Sequence, residues 1–280
     1  MGRGALHSND WGDDNTAIGD YALGNSVNTD GDTAIGSGAL RSQGQTFFLT
    51  QNTAVGFNSL YSNADGIYNT AIGYRAMYAN TTGGRNVAIG WGTLDESNGS
   101  YNTAIGIGAG NNLTSGDYNV YVAGDLDSLG SESGTIRIGN PTIQTRAFLA
   151  GVHGVTSSGG TAVYVNSSGQ LGTVMSSRRY KRDVEDVGDR SEVLRQLRPV
   201  RFRYTEDRDP AGQQQYGLIA EEVEEVAPEL VVHGEDGRPE TVRYELVNAL
   251  LLDEVLRQRK EIDELREVVR ALVEVRRAVR

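Results

Sequence analysis

The chain contains no cysteine, only five prolines and no long apolar run. The absence of cysteine excludes disulfides and thiolate chemistry, although it leaves both intracellular and extracellular compartments open. No run of 18 apolar residues is present, and the N-terminal residues lack the apolar core of a signal peptide. We therefore expect no membrane insertion and no secretion signal of the chain's own.

Large apolar residues and positive charge are also scarce, and both are unevenly distributed. Hydrophobic residues make up 38% of the 280 positions, and about 31 of the 36 glycines precede Ser176. Residues 1–175 contain 6 Lys+Arg and 13 Asp+Glu, whereas residues 176–280 contain 20 and 24. The net charge of -11 and the lack of a basic stripe in the first part argue against a nucleic-acid partner. The change at Ser176 predicts two parts with different structures.

A short phrase of the form Asn-Thr-Ala-Ile-Gly recurs through the first part. Its glycines are 17, 20, 17, 17 and 16 residues apart, and a degenerate seventh copy ends at Gly124. Most copies continue with a small and then a large residue, as in Ala22-Leu23 and Ala76-Met77. The phrase ends at Gly19, Gly36, Gly56, Gly73, Gly90 and Gly106.

A period near 17 is too short for two packed helices and suits one turn of a β-solenoid or β-roll. We expect each turn to bury its Ile or Val and its Leu, with Asn, Gly, Thr and Asp forming the turns between them. Because each repeat offers few large side chains, a single roll has a thin core and exposed edges. Lateral association of several chains is therefore expected.

The tandem phrase Asn-Thr-Ala-Ile-Gly-x-x-Ala-Leu resembles the head repeats of trimeric autotransporter adhesins and of related phage tail-fibre segments. The resemblance covers roughly residues 4–124 and implies a left-handed parallel β-roll assembled as a homotrimer. The first interpretation of these repeats is an inert scaffold. The alternative is direct contact with a cell-surface receptor or glycan through exposed aromatic residues such as Trp11, Tyr74 and Trp91.

Residues 126–175 are interpreted as a β-rich connector. Residues 135–139 and 147–151 are predicted strands, and residues 161–165 and 171–175 flank the turn formers of 166–169 as the arms of a hairpin. The acidic residues near its start fit no calcium-loop spacing and are interpreted as a solvated turn. The three histidines are far apart in sequence, so we expect no metal site and no cofactor. These acidic residues and histidines are Asp125, Asp127 and Glu132, and His7, His153 and His233.

The second part, residues 176–280, has the pattern of an α+β domain. An apolar helix containing Val193, Leu194 and Leu197 precedes Pro199, and an acidic helix is predicted at 221–226. The predicted strands are residues 200–204 and 214–220, with a further hairpin formed by 231–232 and 241–244.

Residues 245–280 contain no Gly or Pro and fit a heptad pattern, which predicts a coiled coil. β-Branched residues at a with Leu at d favour two strands, but the repeats favour three. We expect three, because one fibre has one symmetry. The a positions are Asn248, Val255, Ile262, Val269 and Arg276, and the d positions are Leu251, Gln258, Leu265, Leu272 and Val279.

The ordered motifs of this part resemble the S74 peptidase family of intramolecular chaperone, auto-processing domains found at the C-termini of phage tailspikes, tail fibres and endosialidases. They are Ser-Ser-Arg-Arg-Tyr-Lys from Ser176, Leu-Arg-Pro-Val-Arg-Phe-Arg-Tyr from Leu197, Tyr-Gly-Leu-Ile-Ala-Glu-Glu-Val from Tyr216 and Pro-Glu-Leu-Val from Pro228. The resemblance spans residues 176–280. It implies a trimeric chaperone that directs folding of the fibre and is then released by cleavage before the motif's serine.

In that family, the Ser and Lys of a Ser-x-x-x-x-Lys phrase form a catalytic dyad, which maps onto Ser176 and Lys181, with Met175–Ser176 as the scissile bond. The second position is often Asp in the family and is Ser177 here, which leaves open which serine acts. A serine hydroxyl needs a base, and a lysine serves as one only where desolvation or neighbouring cations favour its neutral form. Arg178, Arg179 and also Arg182 are such cations.

The sequence thus predicts a mainly β fold with a C-terminal α+β part. Its expected domains are repeats at 1–125, a connector at 126–175 and a chaperone at 176–280 with a helix over about 245–280. The expected function is a self-cleaving trimeric fibre segment in a virion tail fibre or extracellular appendage. The alternative is a non-cleaving structural or receptor-binding fibre with a permanent trimerisation cap. A glycan-cleaving tailspike is disfavoured because the repeats are poor in carboxylates.

Overall fold

The computed structural model describes residues 2–42, 49–124, 130–140, 142–153, 156–166, 168–234 and 236–278. Its contacts divide the chain into two units, Met1–Val155 and Thr156–Arg280.

The first unit is a parallel β-solenoid of about seven turns. Each turn contributes one three-residue strand, and each strand pairs in parallel with the next strand along the chain. Equivalent residues face each other across every pair, so that Thr70 lies opposite Val87 and Ala71 opposite Ala88. The predicted solenoid of short repeats is confirmed. The strands are β1 (Thr16–Ile18), β2 (Thr33–Ile35), β3 (Thr53–Val55), β4 (Thr70–Ile72), β5 (Val87–Ile89), β6 (Thr103–Ile105), β7 (Val120–Val122) and β8 (Ile136–Ile138).

The inside of the solenoid is lined by alanine and leucine. In a three-residue strand, the first and third side chains point to one face and the middle one to the other. Ala71 and Ala88 are fully buried, whereas Ile72 and Ile89 are 38% and 37% exposed. The prediction that each turn buries its Ile or Val is therefore wrong for the single chain, because the small middle residue points inward and the larger third residue points outward. The Leu prediction is confirmed at Leu23, Leu40, Leu60 and Leu94.

A ladder of buried asparagines joins successive turns. The Asn69 Oδ1 accepts the backbone N–H of Asn86 (3.0 Å), and the Asn69 Nδ2 donates to the carbonyl oxygen of Gly83 (2.9 Å). Asn86 and Asn102 repeat both contacts in the next two turns. A buried amide is stable only when its donors and acceptors are satisfied, and here each side chain closes a turn and bonds the next. This explains why the repeated phrase begins with Asn.

The glycine that ends the phrase allows adjacent turns to approach closely. Gly73 has a φ of 135°, and a Cβ placed on it would lie 2.2 Å from the carbonyl oxygen of Gly90. Both the backbone conformation and the space therefore require glycine at this position.

The solenoid core ends at Tyr121, which occupies the inward position that alanine fills in the earlier turns. Tyr121 is fully buried, and its hydroxyl donates to the Glu132 Oε1 at 2.8 Å. Arg137 in β8 forms an ion pair with Glu132 at 2.7 Å. Glu132 is thus part of a packed cluster and not a solvated turn, and Asp125 and Asp127 lie outside the described residues. The strand predicted at 135–139 is confirmed as β8, whereas residues 147–151 form no strand.

In the second unit, the described residues form three small antiparallel hairpins, short helices and one long helix. The predicted hairpin of the connector is confirmed in a shorter form, and the helix predicted around Val193 is a 3₁₀ helix, Gly188–Gln196. The other predicted strands and the acidic helix are also present. The elements are β9 (Tyr164–Val165), β10 (Leu171–Gly172), β11 (Val200–Phe202), β12 (Gln215–Gly217), α1 (Ala220–Val226), β13 (Val231–His233), β14 (Pro239–Val242) and α2 (Tyr244–Ala278).

A small apolar core forms between α1, the β13–β14 hairpin and the start of α2. It includes Val223, Leu230, Val231, Val242 and Val247, with Val193 and Leu194 of the 3₁₀ helix packed against it. Among the helices that the structure describes, none is long and apolar enough to cross a membrane. The architecture is mainly β with a C-terminal α+β part, as predicted.

Candidate active site

The predicted cleavage segment lies between β10 and the 3₁₀ helix Arg178–Tyr180. Residues 173–177 have no regular structure, and Ser177 is in an extended conformation (φ -64°, ψ 136°). The short helix is closed by two backbone hydrogen bonds, from the Tyr180 N–H to the Ser177 carbonyl and from the Lys181 N–H to the Arg178 carbonyl, both 3.0 Å. Ser176 therefore precedes, and Lys181 follows, a single helical turn.

Both predicted catalytic side chains are exposed in the single chain. Residues 173–182 are exposed throughout, and Met175 is 61% exposed. Among the described residues, no hydrogen bond joins the Ser176 hydroxyl to the Lys181 amine. The structure thus places the two residues on either side of one turn but does not assemble them into a hydrogen-bonded pair.

The predicted supporting cations also face solvent. The guanidinium of Arg179 lies 4.7 Å from the centre of the Tyr180 ring, a cation–π contact within the segment itself. Arg178 is exposed in the same helical turn. Three features are therefore combined here: an exposed backbone without regular structure, a serine at the predicted bond, and a lysine and two arginines within the five residues that follow this serine.

A polar cluster that was not predicted from the sequence joins the 3₁₀ helix Gly188–Gln196 to α2. The Ser191 hydroxyl donates to Asp253 at 2.8 Å, and Arg195 forms an ion pair with the buried Glu254 at 2.9 Å. A hydrogen bond from Gln258, followed by the contact with Arg195, lowers the pKa of Glu254. These partners are about 60 residues apart in sequence, so no local pattern indicates them.

No group of three or more His, Asp or Glu residues suited to a metal ion occurs in the described part of the chain. His233 instead contacts Glu224 at 2.6 Å on the surface.

Residues 176–232 match the model of the Peptidase_S74 family, described as "Chaperone of endosialidase". This match confirms the S74 resemblance over residues 176–232, and it begins at the predicted catalytic serine. It does not extend to the repeats, whose resemblance to adhesin heads stays a prediction. No curated protein and no solved structure matched the chain.

Proposed function

We propose that the chain is a segment of a homotrimeric fibre whose part from Ser176 onward directs folding and then releases itself by cutting the Met175–Ser176 bond. The observation that carries the proposal is the S74 family match, which begins at Ser176 in an exposed segment without regular structure.

The proposed chemistry proceeds in two steps. The Ser176 Oγ attacks the Met175 carbonyl carbon while Lys181 takes the hydroxyl proton. The C–N bond then breaks, and Lys181 returns the proton to the departing amine of Ser176, leaving an ester between Met175 and the serine oxygen. Water hydrolyses the ester and separates the fibre from the chaperone.

The proposed chemistry would depend on trimer formation. Water surrounds both side chains in the single chain, and a lysine becomes an effective base only where water is excluded or cations lie near it. Neighbouring chains packed around residues 176–181 would supply that exclusion. Cleavage would then follow correct assembly and would act as a check on it.

Two exposed apolar surfaces support assembly from several copies. On the solenoid, the outward third residue of the strands forms a continuous row that includes Ile35, Ile72 and Ile89, each 37–38% exposed. On α2, Leu265 and Leu272 are 63% and 64% exposed. Apolar rows of this length on a chain with few large side chains favour burial against further copies.

A separate folding domain suits this fibre. Parallel pairing of β-strands across several chains is slow and open to misregistration, and a C-terminal seed reduces that search. Once the chaperone has left, the fibre would be held together kinetically, because refolding without the seed is unfavourable.

The proposed location is a virion tail fibre or an extracellular appendage, where the fibre contacts a cell-surface receptor or glycan. Exposed aromatic side chains on the solenoid support this role. Trp11 is 75% exposed, and Tyr74 and Trp91 stack with ring centres 6.1 Å apart.

The alternative is a fibre that keeps its C-terminal part as a permanent trimerisation cap. The lack of a Ser176–Lys181 hydrogen bond in the described structure favours it.

The mass of freshly expressed protein separates the two functions. The proposed self-cleavage predicts fragments of about 175 and 105 residues, whose sum is the 280 of the whole chain. It also predicts that the Ser176→Ala and Lys181→Ala chains stay intact. Light scattering on both variants should still report trimers, which distinguishes lost chemistry from lost folding. An intact wild-type trimer supports the permanent cap, and cleavage of Ser176→Ala at the same bond overturns the proposed mechanism.

A further inference from the structure

The last five turns of α2 present an apolar face that no part of the described chain covers. Ile262 and Val269 at heptad position a, and Leu265 and Leu272 at position d, are 45–64% exposed. The stripe is widened by Val268 at position g, which is 55% exposed. Helices with this pattern associate through the a and d residues.

The residues that flank this face carry a specific charge pattern. Glu261 occupies a g position and forms no ion pair among the described residues. Arg266 occupies the e position five residues later, and its only described ionic contact is with Asp263 of its own helix, at 3.0 Å. In parallel, in-register helices, a g residue lies against the e residue five positions later on the neighbour.

We propose that Glu261 forms an ion pair with Arg266 of the partner subunit, and that this pair, repeated around the trimer, sets the orientation and register of the three helices. The proposal rests on the proposed homotrimer and deepens it by naming the contact that aligns the copies. Cyclic symmetry makes the three helices parallel, so that every g residue meets an e residue of the next copy.

The neighbouring e and g residues select one register. In register, Val268 lies against Val273 of the partner subunit, so apolar residues meet apolar residues and charges meet opposite charges. A slip of one heptad in one direction would place Glu261 against the partner subunit's Val273. A slip in the other direction would place Val268 against the partner subunit's Arg266, although Glu261 would then lie against the partner subunit's Arg259. Each slip leaves one charge against a valine, which costs desolvation at that position.

The preceding g residue does not serve this purpose, because its partner lies in its own chain. Glu254 is held by Arg195 at 2.9 Å, and its side chain is 8% exposed. Glu261 is the first g position of α2 after the segment that contacts the 3₁₀ helix through Glu254 and Arg257.

Charge reversal tests the pair. The variants Glu261→Arg, Arg266→Glu and their combination are made in full-length Ser176→Ala chain, so that the helix stays attached. The matched control is Glu267→Arg, which makes the same charge change at an outward f position, where Glu267 contacts only Arg270 of its own helix at 2.8 Å. Trimer yield on refolding from denaturant is followed by light scattering at fixed protein concentration.

Each single reversal should place like charges at three interfaces and lower the rate of trimer formation roughly tenfold or more. One exposed ion pair contributes little free energy, but the trimer contains three of them. The double variant should recover to within about twofold, and the control should match the parent. High salt should reduce the differences. Equal rates for Glu261→Arg and Glu267→Arg in a parent that forms trimers would overturn this pair alone. A monomeric parent would overturn the homotrimer itself.

Discussion

Asp32 replaces asparagine in the buried ladder, and its carboxylate accepts the hydroxyl of Thr50 at 2.8 Å and the backbone N–H of Asn52 at 2.7 Å. Asp32 and Asn52 are fully buried, and Thr50 is 2% exposed. An ionisable carboxyl group therefore lies within a network that elsewhere consists of neutral amides. Burial raises the pKa of Asp32, and the two hydrogen bonds oppose this effect.

We predict that Asp32 makes the solenoid less stable as pH rises. Because the folded pKa lies above the ordinary value of 3.8, the stabilising contribution is complete below that value and is lost as pH rises through the folded pKa. Asp32→Asn should remove this dependence and raise stability at pH 7 by about 1–3 kcal/mol. Its Nδ2 would donate to the Thr50 oxygen, while the Thr50 hydroxyl turns to the Asp30 carbonyl, 3.3 Å away.

Thermal unfolding of wild type and Asp32→Asn from pH 3 to 7, at one scan rate, checks this prediction. The gap between the two midpoints should widen toward neutral pH. A constant gap would show that Asp32 carries the same charge state in the folded and unfolded chain.

A second prediction concerns the glycine ladder. Gly73→Ala should prevent native stacking or cost several kcal/mol, because its Cβ would lie 2.2 Å from a backbone oxygen of the next turn. Gly92→Ala is the matched control, since Gly92 has a φ of 61° but its Cβ would meet nothing within 4 Å. The control should cost about 1 kcal/mol, from backbone conformation alone. Denaturant unfolding of both variants measures the difference, and similar losses would refute the steric explanation.

The third prediction is that Ile89→Asp weakens assembly more than it weakens the single-chain fold. Ile89 points outward and is 37% exposed, so the substitution leaves the solenoid interior unchanged. If the isoleucine row packs against other copies, a carboxylate there is buried without a partner and should abolish trimers at micromolar concentration. Thr82→Asp, at an exposed turn, should leave trimers intact. Sedimentation of both variants tests this, and a trimeric Ile89→Asp protein would place the interface elsewhere.

A fourth prediction identifies the nucleophile. Ser176→Ala should yield no cleavage, whereas Ser177→Ala should still be cut before residue 176, because only the Ser176 hydroxyl is attached to the residue that supplies the leaving amine. N-terminal sequencing of the small fragment locates the bond. Cleavage that survives Ser176→Ala but not Ser177→Ala would assign the reaction to Ser177.

The fifth prediction concerns the end of the solenoid. Tyr121→Phe should cost about 1 kcal/mol, since it removes one hydrogen bond to Glu132 and keeps the packing. Tyr121→Ala should cost about 3–5 kcal/mol, as expected for a large cavity. Equal costs for the two variants, measured by denaturant unfolding, would show that the hydroxyl and not the ring closes the core.

The period of the repeats, their parallel stacking and the second-unit hairpins could be predicted from sequence, because turn formers and short apolar phrases mark them. Which side chains of each strand point into the solenoid could not be predicted. A three-residue strand such as Thr70–Ile72 alternates only once, so hydrophobicity alone favours burying Ile72, and the narrow interior selects Ala71 instead. Hydrophobicity likewise predicts a strand at 147–151, which is absent from the described residues.

The candidate site was predicted as a pair of residues, and the structure adds their setting. Ser176 and Lys181 could be chosen from their spacing, but their exposure in the single chain could not, because it depends on how the chain packs around them. The Arg195–Glu254 contact also lay beyond sequence reasoning, since it joins residues separated by 59 positions.

The near identity of successive turns has a consequence for any filament built from them. A surface that repeats every 17 residues or so looks almost the same after a displacement of one turn, so two such surfaces can dock at several offsets of nearly equal energy. The long helix α2 has no counterpart among the described turns of the solenoid. In an assembly of several copies, pairing of α2 would therefore break this translational degeneracy.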